Sequence, residues 1–580
     1  MTRRDLRFTG LTLLSVSLLA GACTDDVTGN DDEAAGTGTS TADDTDTTTN
    51  SAGTEVGETN SDTSADTDTS ADTGTDTSTD TGTDTSTDTG TDVDTDTTGS
   101  TETTLFCSPG STICADLDNY QECDESGSMF GDPIPCDPTE QCDSGECVPL
   151  CDLVQATPSS IGCSFFANRM DNFNPSDNDS LVVGNTYSNK TVSAQLYFVP
   201  NGTNVEQAEG APVDIAPEGT HTFTLTNAQI ESVTTIRQGG VYRVETNLPV
   251  VAYQHSPIGA VFTNDASMLL PEHALTGNYV VSSFPATVGA YPSYFTVIAA
   301  VDGTTLDFTV PQATAGGGGV PGLAAGGSAQ VMLDRFSTLN VVVQQQNGGD
   351  LSGTVISADQ PVWLIGATEC ANVPDGGTLF CDHMEEVMLP LEYWGEEYVG
   401  AHAPFRSGNE NFHWRIYGGE DGVTVDTDPA QPGFPINLDK GQYHQFATTE
   451  TFVITGDGPF MPVQYLEGTT GGANDGDPSM IQAVPTAQFL RAYSFVTGEG
   501  YPTHYAQIIR PAGGSDVSID GNVVGGYYEA GGYEIADVDI SEGSHFANSD
   551  QPFGIISIGY SPATSYGYPG GLRLEVINPQ

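Results

Sequence analysis

Positive charge is the scarcest feature of this sequence. Its 580 residues carry 14 Lys+Arg against 79 Asp+Glu, a formal charge of −65, and only two of the cations are lysines, Lys190 and Lys440. A surface so poor in cations cannot neutralise phosphates, which excludes nucleic acid as a partner, and attraction to anionic lipid headgroups fails for the same reason. After the N-terminal segment no stretch approaches the ~18 apolar residues of a membrane-spanning helix. No Gly-x-Ser-x-Gly elbow, His-Glu-x-x-His or Gly-Lys-Ser/Thr phosphate loop occurs, so the local signatures of serine hydrolases, zincins and P-loop enzymes are missing. The histidines are scattered without metal spacing, and no cofactor or metal is expected. What is plentiful is Gly (68 residues), with Thr, Asp and Ser, the composition of an extracellular β-rich chain.

The chain opens as an export signal. Arg3, Arg4 and Arg7 precede an apolar run at 11–19 that is too short to persist as a span, and small residues lead to Cys23. Residues 1–22 thus read as a signal peptide whose end resembles a bacterial lipobox, with Ala20 in place of the usual Leu. The resemblance implies that Cys23 is diacylated. The expected location is the cell envelope, lipid-anchored, with the outer membrane and surface exposure as the default, and the lipid as the only membrane contact. Residues 23–103 are Thr, Asp, Ser and Gly in near-repeats, with 22 acidic residues, and no Lys or Arg occurs between Arg7 and Arg169. Such a tract has too little apolar surface to offset its ordering entropy and reads as a disordered linker extended by its own charge. Fully stretched it reaches on the order of 270 Å, and as a relaxed coil ~50 Å. Either length lifts a domain off a membrane.

Eleven cysteines are present. Without Cys23 ten remain, an even number in an exported chain, so five disulfides are expected. Cys107, Cys114, Cys123, Cys136, Cys142 and Cys147 crowd into a turn-rich stretch, which makes 104–163 a disulfide-stapled module whose pairing the spacing does not decide. Cys151 and Cys163 are close enough to bridge and to tie the module to the β-rich region beyond it.

Residues 164–580 are read as all-β. Short runs of Val, Ile, Thr, Tyr and Phe at 193–199, 220–225, 241–244, 249–254, 294–299, 305–310, 339–344, 353–356 and 361–365 are broken by Asp-Gly, Asn-Gly, Gly-Gly and Pro. Helical periodicity is hard to find over any eleven-residue window. The region also repeats. Asp265-Ala-Ser-Met-Leu-Leu-Pro271 opens a unit ending at Gln360-Pro-Val-Trp-Leu-Ile-Gly366; Val387-Met-Leu-Pro390 restarts it; Asp477-Pro-Ser-Met480 opens a third copy, ending at Gln551-Pro-Phe-Gly-Ile-Ile-Ser557. A copy lacking its opening precedes them at 181–253. Four such units suit tandem β-sandwiches, with a β-propeller of two blades per unit as the alternative.

One stretch carries a family resemblance. Glu369-Cys370-Ala-Asn-Val-Pro374, Cys381-Asp382-His383-Met384-Glu385-Glu386, Leu389-Pro390 and Trp394-Gly395, with Asn264-Asp265-Ala-Ser-Met-Leu-Leu-Pro271 upstream, resemble the N-terminal domain of the IgGFc-binding protein family over about 180–500. Met384 keeps the apolar character of the Leu usual after Cys-Asp-His, whereas Val387 replaces a Gln. The resemblance implies a secreted or mucus-associated β-domain described as binding the Fc region of immunoglobulin G. The self-cleaving Gly-Asp-Pro-His of the mucus proteins is not reproduced, since Gly131-Asp-Pro-Ile134 and Gly476-Asp-Pro-Ser479 lack the His. The motif also has a chemical reading, in which Cys370, Cys381 and His383, with Asp382 or Glu385, bind zinc or form a Cys-His nucleophile. In an oxidising compartment the spacing of Cys370 and Cys381 favours a loop-closing disulfide, with His383 as a hydrogen-bonding support.

Two functional classes are consistent with these features. The first is a lipid-anchored surface protein whose β-domain binds an extracellular protein or glycan, with Tyr527-Tyr528 and Tyr566-Gly-Tyr568 as contact tips. The second is an extracytoplasmic hydrolase acting on a polymer through a carboxylate pair. Nothing in the sequence fixes two carboxylates on a common site, so binding is the preferred reading and no catalytic residue is assigned.

Overall fold

The computed structural model of the protein describes residues 105–580, apart from 175, 231–232, 258, 260–262, 379, 407–409 and 470–474. The signal peptide, the lipid site at Cys23 and the acidic linker lie outside the described residues.

The stapled module has little core to hold it. Short hairpins, Thr112–Cys114 with Asn119–Glu122 and Glu140–Asp143 with Glu146–Pro149, leave Leu105, Phe106, Leu117 and Met129 exposed. Three disulfides take the place of a core, joining Cys107 to Cys123, Cys114 to Cys142 and Cys136 to Cys147. A short helix, Leu150–Ala156, comes next, and Cys151–Cys163 pins it to the strand Gly162–Ala167. The Lys190 ammonium donates to the Pro138 carbonyl at 2.9 Å, seating the module on the first β-unit.

Each of the four β-units is organised by one long strand: Val241–Ser256, Val355–Ala371, Phe452–Leu466 and Ser544–Ser561. In the third unit, 453–456 pairs with Gly395–Gly400 and Val423–Asp428, whereas 460–466 pairs with Phe412–Gly418 and Met480–Gln482. The other three long strands divide their partners in the same way. A strand that serves one layer and then the other curls its sheet into a two-layer sandwich. Where it changes layer, each strand slips register against the first strand of its unit, and a proline stands there: Pro249, Pro361, Pro459 and Pro552. Proline donates no ladder bond, and at a bulge none is required of it. The sequence runs that stop before Pro249 and Pro361 are therefore halves of single strands.

After each long strand a short closing strand returns to its second half: Asp265–Met268, Asp382–Val387, Met480–Gln482 and Thr564–Pro569. These four pack on one another in cyclic order, the fourth against the first, so the units form a ring around a shared centre. Three prolines, Pro271, Pro390 and Pro485, then launch single 3₁₀ turns into the next unit. Gly162–Ala167 supplies the opening that the first copy lacks in sequence. The ring is closed by Ser160, whose N–H donates to the Leu572 carbonyl at 3.0 Å and whose hydroxyl accepts the Leu572 N–H at 3.2 Å. One continuous hydrophobic core runs through all four units. The sandwich reading stands. Two blades per unit does not describe the chain, because both layers of a unit share one unbroken strand.

Candidate functional site

The family motif lies where the closing strands meet. Met268, Val387, Gln482 and Pro569 face equivalent points of their long strands, Tyr253, Ile365, Val463 and Ile556. Counting back along each closing strand brings Thr263, Asp382, Asp477 and Thr564 into register. Aligning Asp265 with Asp477 on sequence is two residues out, because Asp-x-Ser-Met recurs by coincidence of spacing.

Asp265 is 1% exposed and ties three units together. Its Oδ2 accepts the backbone N–H of Glu385 at 3.2 Å and of Met480 at 3.0 Å, and its Oδ1 accepts the Ser479 hydroxyl at 2.7 Å. Asp382 accepts its neighbour His383 N–H at 3.1 Å and, from the fourth unit, the Thr564 hydroxyl at 3.1 Å. Asp477 N–H donates to the Ser565 hydroxyl at 3.0 Å. His383 Nε2 lies 3.5 Å from Glu385. Asp265, Asp382, Glu385 and Glu386 are fully enclosed, and burial pushes all four carboxyls well above the ordinary carboxylate range. Burial also raises Asp477 to about 7 and Asp179 to about 8, and lowers His383 and His255 to about 4. Among the described residues none of the four enclosed carboxyls pairs with a lysine or arginine. Asp265 and Asp382 join the units as hydrogen-bonding carboxyls, while one oxygen each of Glu385 and Glu386 has no partner among the described residues.

The rest of the motif supports this centre. Cys370 and Cys381 form a disulfide, so neither sulfur is a thiolate available for zinc or nucleophilic attack. Among the described residues no group of three His, Cys, Asp or Glu side chains is placed to hold a metal ion. Pro374 lies in the bridged loop, Pro390 precedes the 3₁₀ turn Leu391–Tyr393, and the buried Trp394 indole donates to the Leu389 carbonyl at 2.9 Å. Replacing both Cys370 and Cys381 by alanine is expected to lower the unfolding free energy by about 2–4 kcal/mol and to make the loop between them an early proteolytic cut, readable by urea unfolding and limited proteolysis.

The loops entering the closing strands and those joining the first two strands of each unit gather at one end of the ring. Asn172 Nδ2 donates to Thr263 O at 2.7 Å; Thr287 donates to Asn372 at 2.8 Å; Gly468 N–H reaches Val373 O at 3.0 Å; Asn264 Nδ2 donates to Tyr501 at 2.8 Å. Three phenylalanines stand out of these loops: Phe173 (40% exposed), packed edge-on to Tyr291, then Phe380 (59%) and Phe405 (42%). No sequence signal marks them, because a loop aromatic reads the same whether it packs inward or outward. The tips expected from sequence need correction. Tyr566 and Tyr568 lie fully buried on the last closing strand, stacked at 5.2 Å, and Tyr527 is covered by the Arg510 guanidinium at 3.7 Å. The hydrolase alternative gains nothing here, since the gathered carboxyls are sealed from solvent and hold backbone and hydroxyl groups.

A sealed polar centre under an open loop end defines the architecture: a repeat-built, all-β ring of four sandwich units. Comparison with known proteins makes this specific. The model of the family described as IgGFc binding protein matches residues 265–559, and the chain belongs to that family. Human IgGFc-binding protein is 22% identical over 327 residues, which cover 55% of this chain and 6% of the human protein; the chain therefore spans a small part of that relative's length. No solved structure gives a significant match.

Proposed function

We propose that this chain is an exported surface protein, held by lipid at Cys23 and extended by residues 23–103, that binds a protein ligand with the loop end of its β-ring. The observation carrying this reading is that Phe173, Phe380 and Phe405 stand exposed on loops of three units, while the centre below has no access to solvent. Exposed aromatics on loops held by a rigid scaffold are the usual anchors of protein recognition. The family's name points to the Fc region of immunoglobulin G as the first ligand to test, with secreted mucins beside it. The full chain is expected to be captured by one of these surfaces, and Phe380→Asp with Phe405→Asp to weaken capture at least tenfold with no change in thermal unfolding. Capture unaffected by both substitutions, or none on either surface, contradicts the loop-end assignment. Protease treatment of intact cells is expected to release the β-ring, and its retention contradicts surface display.

A further inference from the structure

Away from the loop end, the first and last units leave a cleft of about 500 Å³ beside the seam where the ring closes. We infer that this cleft is a binding site for an uncharged saccharide. Its walls are fixed before any ligand arrives. Asn185 Nδ2 donates to the carbonyls of Lys190 (2.8 Å), Ile215 (3.1 Å) and Ala216 (2.9 Å). Across the cleft, Asp520 Oδ1 accepts the Phe546 N–H at 2.9 Å and Oδ2 lies 2.7 Å from His545 Nδ1, while His545 Nε2 is 2.7 Å from the Ser541 carbonyl. The imidazole rests on Phe495 with ring centres 5.4 Å apart. A site held this firmly loses little freedom on binding.

The lining chemistry selects the ligand. Phe546 is 43% exposed and offers an apolar plate. Glu218 stands exposed at the rim, so its carboxylate oxygens are available to accept hydroxyl hydrogens, and the Asp520 side chain beside the cleft is 45% exposed. No Lys or Arg lines the cleft, which leaves a sulfate or sialic-acid carboxylate with nothing to pair with. Both Asp520 oxygens are already engaged, so the cleft presents a single unpartnered carboxylate, too little for a polybasic peptide. A concave mixture of aromatic plate and hydrogen-bond acceptors, in the volume range of small-molecule sites, fits the alternating apolar faces and hydroxyl edges of neutral sugars.

The assignment is independent of the loop-end ligand and is tested separately. The full chain is titrated with fluorescent hexasaccharides of glucose, galactose, mannose and N-acetylglucosamine, beside sialylated and sulfated oligosaccharides and a lysine-rich decapeptide. At least one neutral hexasaccharide is expected to bind, Phe546→Ala and Glu218→Gln each to weaken that binding about tenfold, and Phe380→Asp to leave it unchanged. Failure of every neutral sugar, binding confined to the acidic sugars or the peptide, or neutral-sugar binding that survives Phe546→Ala overturns the inference. Phe546 is surface-exposed, and an unchanged unfolding temperature separates lost binding from lost fold.

Discussion

Arg415→Ala is expected to lower the unfolding free energy by about 3–5 kcal/mol, among the largest losses available to a single substitution in this ring. Arg415 belongs to the third unit, yet its Nη1 donates to Asp350 Oδ2 (2.9 Å), the Ser352 hydroxyl (2.8 Å) and the Ser283 carbonyl (3.0 Å), all in the second. Its guanidinium lies over Phe284, Tyr443 and Tyr465 at 4.7, 4.5 and 5.2 Å. The two paired side chains are 2% and 4% exposed. Truncation leaves Asp350 as a buried charge without its cation, and that penalty dominates the loss. Replacing both partners with apolar residues, Arg415→Met with Asp350→Leu, removes the orphan and is expected to recover much of the stability. Urea unfolding of the two singles and the double measures this. A double variant as damaged as the sum of the singles contradicts the account.

Stability is also expected to fall as pH rises from 6.5 to 8, opposite to the behaviour of a protein held by ionised carboxylates. The buried carboxyls have folded-state pKa values above those of the unfolded chain: Asp179 at about 8 and Asp477 at about 7 against an ordinary 3.8. Their contribution is complete below pH 4 and is lost as pH climbs through the folded values, because the unfolded chain releases the proton first. His255, His383 and His413, lowered to about 4 by burial, act in the opposite sense: their contribution is present above pH 6.5 and is lost towards pH 4. Above pH 6.5 each of these histidines adds only about 0.4 kcal/mol more, and the carboxyl loss outweighs them. Asp179 alone accounts for about 2 kcal/mol between pH 6.5 and 8. Asp179→Asn keeps a neutral acceptor for the Met170 N–H and is expected to reduce the loss over that interval by about 2 kcal/mol. Urea midpoints at pH 6.5 and 8 test this, and a wild-type profile that rises with pH contradicts the neutral-acid description.

The sequence shows the β class through its short β-branched runs, and the fourfold repetition through X-Pro followed by an apolar run at 249, 361, 459 and 552. It does not show that those prolines lie inside strands, because a proline that ends a strand and one that marks a change of layer look alike until the partners are known. The family motif is equally plain as a pattern, while its role is hidden. Asp265, Asp382 and His383 become buried only when strands more than a hundred residues apart meet, and no local periodicity reports such a meeting. Tyr566 and Tyr568 show the same limit from the other side. Flanked by Gly and Pro they look like a loop tip, yet they form the fourth closing strand, where Gly567 admits the Ile481 side chain, whose terminal carbon would lie 2.3 Å from an added Cβ. Phe173, Phe380 and Phe405 carry no signal because each stands alone in its loop.

The family motif builds the ring, and the exposed loops above it contribute little to its stability. Urea unfolding of the full chain carrying Asp382→Leu, set beside Phe380→Asp, tests this most directly. Asp382→Leu takes the side-chain acceptor from the His383 N–H and cuts the link to the Thr564 hydroxyl, which keeps only Asn264, and is expected to cost at least about 1 kcal/mol, whereas Phe380→Asp, two residues away and exposed, is expected to stay within about 0.5 kcal/mol of wild type. Unchanged stability for Asp382→Leu, or a comparable loss for Phe380→Asp, would contradict that division of labour.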